Sequence, residues 1–90
     1  MKMILPLTEL LAGLSEECCE LGRAALKLRR VYDGGNPTPT TEREAIDNLE
    51  EEIADVMVYL SQIPYSKTQV EMIREAKTRR MEERCAGIGS

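Results

Sequence analysis

Apolar and small residues recur at alternating steps of four and three along the first third of the chain. The series comprises Leu7, Leu11, Leu14, Cys18, Leu21, Ala25, Leu28 and Tyr32. Because an α-helix repeats every 3.6 residues, this spacing places all eight on one side of a helix. The pattern predicts a first helix over residues 7–32, with Pro6 and Thr8 as candidates for its first turn.

A loop and a second helix are predicted next. The segment DGGNPTPT, residues 33–40, has two glycines and two prolines, which a helix or a central strand does not tolerate together. Thr41 and Glu44 are then spaced as in a capping box. The four-three rhythm resumes with Ile46, Leu49, Ile53, Val56, Leu60 and Ile63. We expect a second helix over residues 42–62.

A third helix follows Pro64, which stops the second. Ser66 with Gln69 forms another capping box. A weaker stripe of Val70, Ile73 and Met81 runs through a basic segment that ends near Cys85, and we expect the tail at about 86–90 to fray. The chain 1–90 is thus predicted to be a single all-α domain, an antiparallel helical hairpin plus a third helix.

The amino-acid composition argues against two functional classes, nucleic-acid-binding proteins and membrane proteins. The chain has 90 residues, of which 31% are charged, a net charge of -4, and three tyrosines as its only aromatics. An acidic chain with few aromatic residues argues against nucleic-acid binding. No apolar run approaches the roughly 20 residues needed to cross a bilayer, and residues 1–7 do not resemble a signal peptide. We expect a cytoplasmic protein that does not bind membranes.

The three cysteines do not indicate a disulfide framework, a zinc site or a catalytic nucleophile. Three cysteines without any histidine favour reduced thiols over a disulfide framework or a structural zinc site. Cys18 is expected in the core, and Cys19 and Cys85 as incidental thiols. A nucleophilic cysteine lacks the histidine base that it commonly needs.

Acidic side chains flank the apolar stripes of the first two helices. At about 100° per residue, Glu17 and Glu20 lie about 60° and 120° from the centre of their stripe, and Glu52 and Asp55 about 70° and 130° from theirs, on the same side. If the helices pack antiparallel, these offsets bring both pairs to one edge, each roughly 16 to 18 Å from the loop. Glu16, about 160° away, is expected to be a solvated acid.

Four carboxylates at one edge would repel each other, so a divalent cation would relieve the conflict. Mg²⁺ accepts all-oxygen ligands and bridges carboxylates to substrate phosphates. The alternative is that these acids are ordinary solvated flanks of helices. On the third helix Lys77, Arg80 and Arg84 lie along the stripe, where they either pair with the acids or contact phosphate.

The residues EECCE, 16–20, and EIAD, 52–55, resemble the EExxE and ExxD signature of MazG-like nucleoside triphosphate pyrophosphohydrolases, in the all-α NTP pyrophosphatase superfamily. The segment NPTPTTEREAIDNLEEEIADV and the ending KTRRMEER are also similar to small bacterial and phage members. The resemblance implies hydrolysis of a nucleoside triphosphate to the monophosphate and pyrophosphate.

The resemblance also assigns roles to residues. It implies that Mg²⁺, with Mn²⁺ as the alternative, is held by Glu17, Glu20, Glu52 and Asp55. The ions would neutralise charge at the α-phosphorus and activate a water molecule, which Glu16 or Glu17 would orient as the catalytic carboxylate. Lys77 and Arg80 correspond, more loosely, to phosphate-binding residues, and Arg84 more loosely still.

Family members form dimers or tetramers, so a homodimer or homotetramer that completes a four-helix-type bundle is expected. The competing hypothesis is a non-enzymatic helical interaction module with an acidic edge. The resemblance leads us to expect that the short chain lacks an N-terminal segment that helps to shape the nucleotide pocket in many relatives. Neither the base nor the sugar of a substrate follows from the sequence.

Overall fold

The computed structural model describes residues 5–35 and 40–89, and it contains three α-helices and no strand within those ranges. Helix α1 spans Leu7–Asp33, α2 spans Glu42–Gln62, and α3 spans Lys67–Gly89. The all-α class is therefore confirmed, and α3 continues past the predicted end near Cys85. The middle of the predicted loop, residues 36–39, lies outside the described residues.

Local chemistry explains where the helices begin and end. The hydroxyl of Thr41 accepts a hydrogen bond from the Glu44 N–H and donates one to its carboxylate, each at 3.1 Å, so the predicted pair of Thr41 and Glu44 caps α2. Ser66 accepts the Gln69 N–H at 3.1 Å ahead of α3. Helix α1 ends at Asp33, and the following residue, Gly34, has a φ of 78°, the left-handed conformation that glycine adopts without strain.

Helices α1 and α2 pack together as an antiparallel hairpin. Near the end of the hairpin that is remote from the connection, the ring of Tyr59 lies against Gly13. Beside the connection, the Tyr32 hydroxyl donates a hydrogen bond of 3.0 Å to Glu42. Residues early in α1 therefore contact residues late in α2, and residues late in α1 contact residues early in α2, as expected for antiparallel helices.

Each helix turns one row of residues, spaced by seven, directly towards its neighbour. All members of these facing rows are buried or half-buried: Leu10, Glu17, Ala24 and Val31 on α1, with Ala45, Glu52 and Tyr59 on α2. Leu10, Ala24 and Ala45 are the fully buried apolar residues of the described chain. Ala24 and Ala45 in these rows, with Gly13 beside Tyr59, let the two backbones approach closely at those points.

The predicted apolar stripe of α1 is not centred on α2, contrary to expectation. Its middle row, Leu14, Leu21 and Leu28, is half-buried, whereas the next row, Leu11, Cys18, Ala25 and Tyr32, is exposed. The expected burial of Cys18 is therefore wrong. The physical reason is that α2 packs against the row of Leu10, Glu17, Ala24 and Val31, at one side of the stripe. The row that contains Leu11 is left without a neighbour in the described part of the chain.

The hairpin consequently has two unlike faces. The apolar face carries the exposed α1 row that contains Leu11, together with Ile53 and Met57 of α2, which are 41% and 62% exposed. An open groove on this face is lined by Ala25, Leu28, Arg29, Tyr32, Asp33 and Leu49. The opposite face is polar, and it carries the acidic residues considered below.

Helix α3 does not pack against α1 or α2 within the described residues. Only Ala76 on this helix is even half-buried among residues 67–87. The chain has a radius of gyration of 16.7 Å, compared with about 12 Å for a compact chain of this length. No helix in the described part of the chain combines the length and the apolar character that crossing a membrane requires.

Candidate functional site

The facing rows bring two glutamates together between the helices. Glu17 occupies the α1 row between Leu10 and Ala24, and Glu52 occupies the α2 row between Ala45 and Tyr59. Both glutamates are half-buried. They therefore lie nearer the centre of the hairpin contact than their offsets from the apolar stripes suggest, because the contact itself is shifted towards the acidic side.

Three carboxylates form a cluster at this point. Glu17, Glu52 and Asp55 each offer an oxygen atom, and these oxygens all lie within 4.8 Å of one another. Three oxygens at such separations fit around a single hard cation, which binds carboxylates at about 2.0 to 2.6 Å. The arrangement suits Mg²⁺, Mn²⁺ or Ca²⁺ better than a metal that prefers nitrogen or sulfur ligands.

Burial and mutual repulsion make the charged forms of the two glutamates costly. Desolvation, followed by the charges of Asp55, Glu20 and Glu16 and a hydrogen bond with Asp55, raises the pKa of Glu17. Desolvation and then neighbouring carboxylates, Asp55 foremost, raise the pKa of Glu52. Each shift reports a site that favours an added positive charge, either a proton or a metal ion.

One oxygen of the cluster has no partner. Oε2 of Glu52 is enclosed by protein atoms and makes no hydrogen bond. A buried carboxylate oxygen without a hydrogen bond is destabilising unless a proton or a cation satisfies it. The unpartnered oxygen and the raised pKa of Glu52 both follow from its burial, and both favour a proton or a cation at this position.

Glu20 and Glu16 lie at the margin of the cluster. Glu20 is exposed and pairs loosely with Arg23, at 3.9 Å. Its charge raises the pKa of both Glu17 and Glu52, so it lies within electrostatic range of the two. Glu16 is exposed, and its charge also raises the pKa of Glu17. Both side chains border the polar face without joining the three closest carboxylates.

Cations on α1 border the same site, and sequence reasoning missed them. A cavity on the polar face is lined by Glu20 and Glu52, by Arg23, Lys27 and Arg30 of α1, and by Asn48 of α2. A signal was present in the spacing, because Lys27 follows Glu20 by seven residues and Asn48 precedes Glu52 by four, which places each pair on one side of its helix. The periodicity of the apolar residues alone does not show this spacing.

Lys77 and Arg80 are not brought to the cluster within one chain. They lie on α3, which does not contact the hairpin in the described ranges, and neither side chain forms an ion pair there. The expectation that α3 places these cations near the acids of the same chain is therefore not met. Arg84 shares this position outside the hairpin.

Comparisons with protein-family models, with curated proteins and with solved structures found no match to this chain.

Proposed function

We propose that the protein is a divalent-cation-dependent nucleoside triphosphate pyrophosphohydrolase of the MazG-like type. It would cleave (d)NTPs between the α- and β-phosphates to give the monophosphate and pyrophosphate. The observation that carries this proposal is the cluster of Glu17, Glu52 and Asp55 with the unpartnered Oε2 of Glu52. Its residues coincide with the EExxE and ExxD motifs that the sequence presents.

In this proposal, the acidic residues have two roles, metal binding and orientation of the attacking water. Glu17, Glu52 and Asp55, with Glu20 at the margin, would hold Mg²⁺, or alternatively Mn²⁺. Such an ion would supply positive charge against the phosphate oxygens and lower the pKa of a water molecule. Glu16 or Glu17 orients the attacking water towards the α-phosphorus and accepts its proton. The bond from the α-phosphorus to the bridging oxygen breaks, and pyrophosphate leaves with that oxygen.

We further propose that the protein works as a homodimer or homotetramer in which a second copy covers the apolar face of the hairpin. The chain of 10.1 kDa exposes 7222 Å², whereas a compact monomer of that mass exposes about 5300 Å². The excess, to which the unpacked α3 also contributes, exceeds the roughly 800 Å² per partner that a standard interface buries. Two hairpins joined this way make a four-helix-type bundle with its acidic faces outward.

The decisive experiment measures pyrophosphate and monophosphate release from a panel of NTPs and dNTPs, with Mg²⁺ and with a chelator. Glu52→Gln and Asp55→Asn should each lower the Mg²⁺-dependent rate by about 100-fold or more, the usual loss when a preorganised electrostatic contact is removed. Glu51→Gln is the matched control, because it removes the neighbouring charge but lies outside the cluster. Equal rates in all three variants, or turnover that persists with the chelator, would refute the proposal.

A non-enzymatic interaction module is the second candidate, and the uncovered apolar face favours it. On that hypothesis the acids are a solvated or counterion-binding edge. A protein that associates with itself, releases no pyrophosphate from any nucleotide, and keeps the same melting temperature when Mg²⁺ and nucleotide are added would support the module against the enzyme.

A further inference from the structure

The polar face carries a row of cations immediately beside the carboxylate cluster. Arg23, Lys27 and Arg30 line one cavity of about 320 Å³ together with Glu20 and Glu52 of the acidic site. Within the described residues Lys27 and Arg30 form no ion pair, and Arg23 makes only the 3.9 Å contact with Glu20, its own side chain being 80% exposed. These charges are therefore available to a ligand.

The direction of α1 aims the cations at the acidic site. Side chains on an α-helix lean towards its N-terminus. Lys27 and Arg30 follow Glu20 in the sequence, so their side chains lean back towards the carboxylates. Lys27 is about 10 Å and Arg30 about 15 Å from Glu20 along the helix axis, distances that long side chains partly span.

The opposite wall supplies a neutral donor. Asn48 lines the same cavity from α2, one helical turn before Glu52, and it is half-buried. Its amide has two N–H groups that can donate to an oxygen of a ligand. The cavity thus combines carboxylates that suit a metal ion, two unpaired cations and an amide donor. A metal-bound polyphosphate matches this combination, because it carries both the ion and the negative charge that the cations require.

We propose that Lys27 and Arg30, flanked by Arg23 and Asn48, form a subsite for the β- and γ-phosphates of a nucleoside triphosphate. The inference rests on the proposed function, and it places the α-phosphate at the carboxylate cluster. The remaining phosphates then extend along α1 towards the interhelical connection, where the cations lie. The pyrophosphate end of the substrate is held by α1 of the same chain, whereas Lys77 and Arg80 lie on α3, which does not contact the hairpin within the described residues.

The test compares two variants of one helix. Lys27→Gln combined with Arg30→Gln removes the proposed contacts. Arg29→Gln is the matched control, because Arg29 is a neighbour in sequence but lines the groove on the apolar face, 4.0 Å from Asp33. Inorganic triphosphate with Mg²⁺ is titrated calorimetrically into each protein at fixed ionic strength. Far-ultraviolet circular dichroism verifies that the helices are retained.

The double variant should bind inorganic triphosphate about 100-fold more weakly, since a hydrogen bond to a charged group accounts for about tenfold or more in affinity. Arg29→Gln should lose no more than about threefold, because a distant exposed charge is screened. In turnover assays the double variant should raise KM for the triphosphate far more than it lowers kcat.

Several results would overturn the inference. They can be distinguished from the results that would overturn the proposed function. Equal affinity losses in the double variant and Arg29→Gln would overturn the inference, as would wild-type protein that does not bind triphosphate. A larger loss on combining Lys77→Gln with Arg80→Gln would move the subsite to α3. Triphosphate binding that depends on Lys27, without pyrophosphate release from any nucleotide, would instead preserve the subsite and reject the enzyme.

Discussion

Gly13 provides a sharp test of how closely the two hairpin helices approach. A Cβ atom at this position would lie 2.5 Å from Cζ and 2.7 Å from the hydroxyl oxygen of Tyr59, well inside van der Waals contact. Gly22 is on the same helix, but a Cβ there meets nothing within 4 Å. Glycine-to-alanine substitutions at the two positions thus add the same methyl group to the same helix in opposite environments.

The expected magnitudes follow from two opposing contributions. Alanine is favoured over glycine in a helix interior by about 1 kcal/mol, and this gain applies at both positions. At position 13 the methyl group displaces the half-buried Tyr59 ring, and overpacking of this kind costs about 1 to 3 kcal/mol. Gly22→Ala should therefore be stabilising. Gly13→Ala should be less stable than Gly22→Ala by about 1 to 3 kcal/mol.

Thermal unfolding, followed by circular dichroism at one protein concentration, measures the difference. For a domain of this size, 1 kcal/mol corresponds to about 4 to 8 °C. Removing the ring with Tyr59→Ser should abolish the penalty, so that Gly13→Ala becomes harmless in that background. The reasoning is refuted if the two alanine variants have equal melting temperatures, or if the penalty persists after Tyr59 is removed.

The remaining predictions concern pH and self-association. Without divalent cations the raised pKa values of Glu17 and Glu52 mean that the folded state binds protons more tightly than the unfolded chain. Their contribution to stability is then complete below the unfolded pKa and lost as pH rises through the folded values. Glu52→Gln should therefore raise the metal-free melting temperature at neutral pH and flatten its fall with pH, and an unchanged profile would contradict this. Met57→Glu should shift the protein towards monomer in sedimentation analysis, because it places a charge on the apolar face, whereas Glu51→Gln should not. An unaltered oligomeric state in Met57→Glu would reject that face as the interface.

Local sequence signals predicted the helices well because each signal acts over a few residues. Helix α2 has the predicted bounds, and Thr41 caps it with Glu44 as its predicted partner. Helix α3 extends to Gly89, past the predicted end near Cys85, because a single glycine weakens a helix without ending it. Caps and breakers act locally, so they can be read without knowledge of the partner of a helix.

The candidate site was foreseen in part. The sequence indicated that Glu17, Glu52 and Asp55 would share one edge, and their oxygens lie close together. It did not indicate that the glutamates occupy the facing rows, nor that Lys27 borders them. Both follow from the rotation of α1 about its axis, which depends on the residues of α2 that it meets.

The sequence alone determined three helices, their caps, and the periodic placement of acids relative to leucines, because all of these are properties of a single helix. Only the tertiary structure decided which side of each helix is buried. Packing of the two facing rows, with Tyr59 against Gly13, turns Glu17 and Glu52 inward and leaves the row that contains Leu11 uncovered. The reason is that the rotation of each helix about its axis depends on how the side chains of both helices interdigitate, which is a property of the pair of helices.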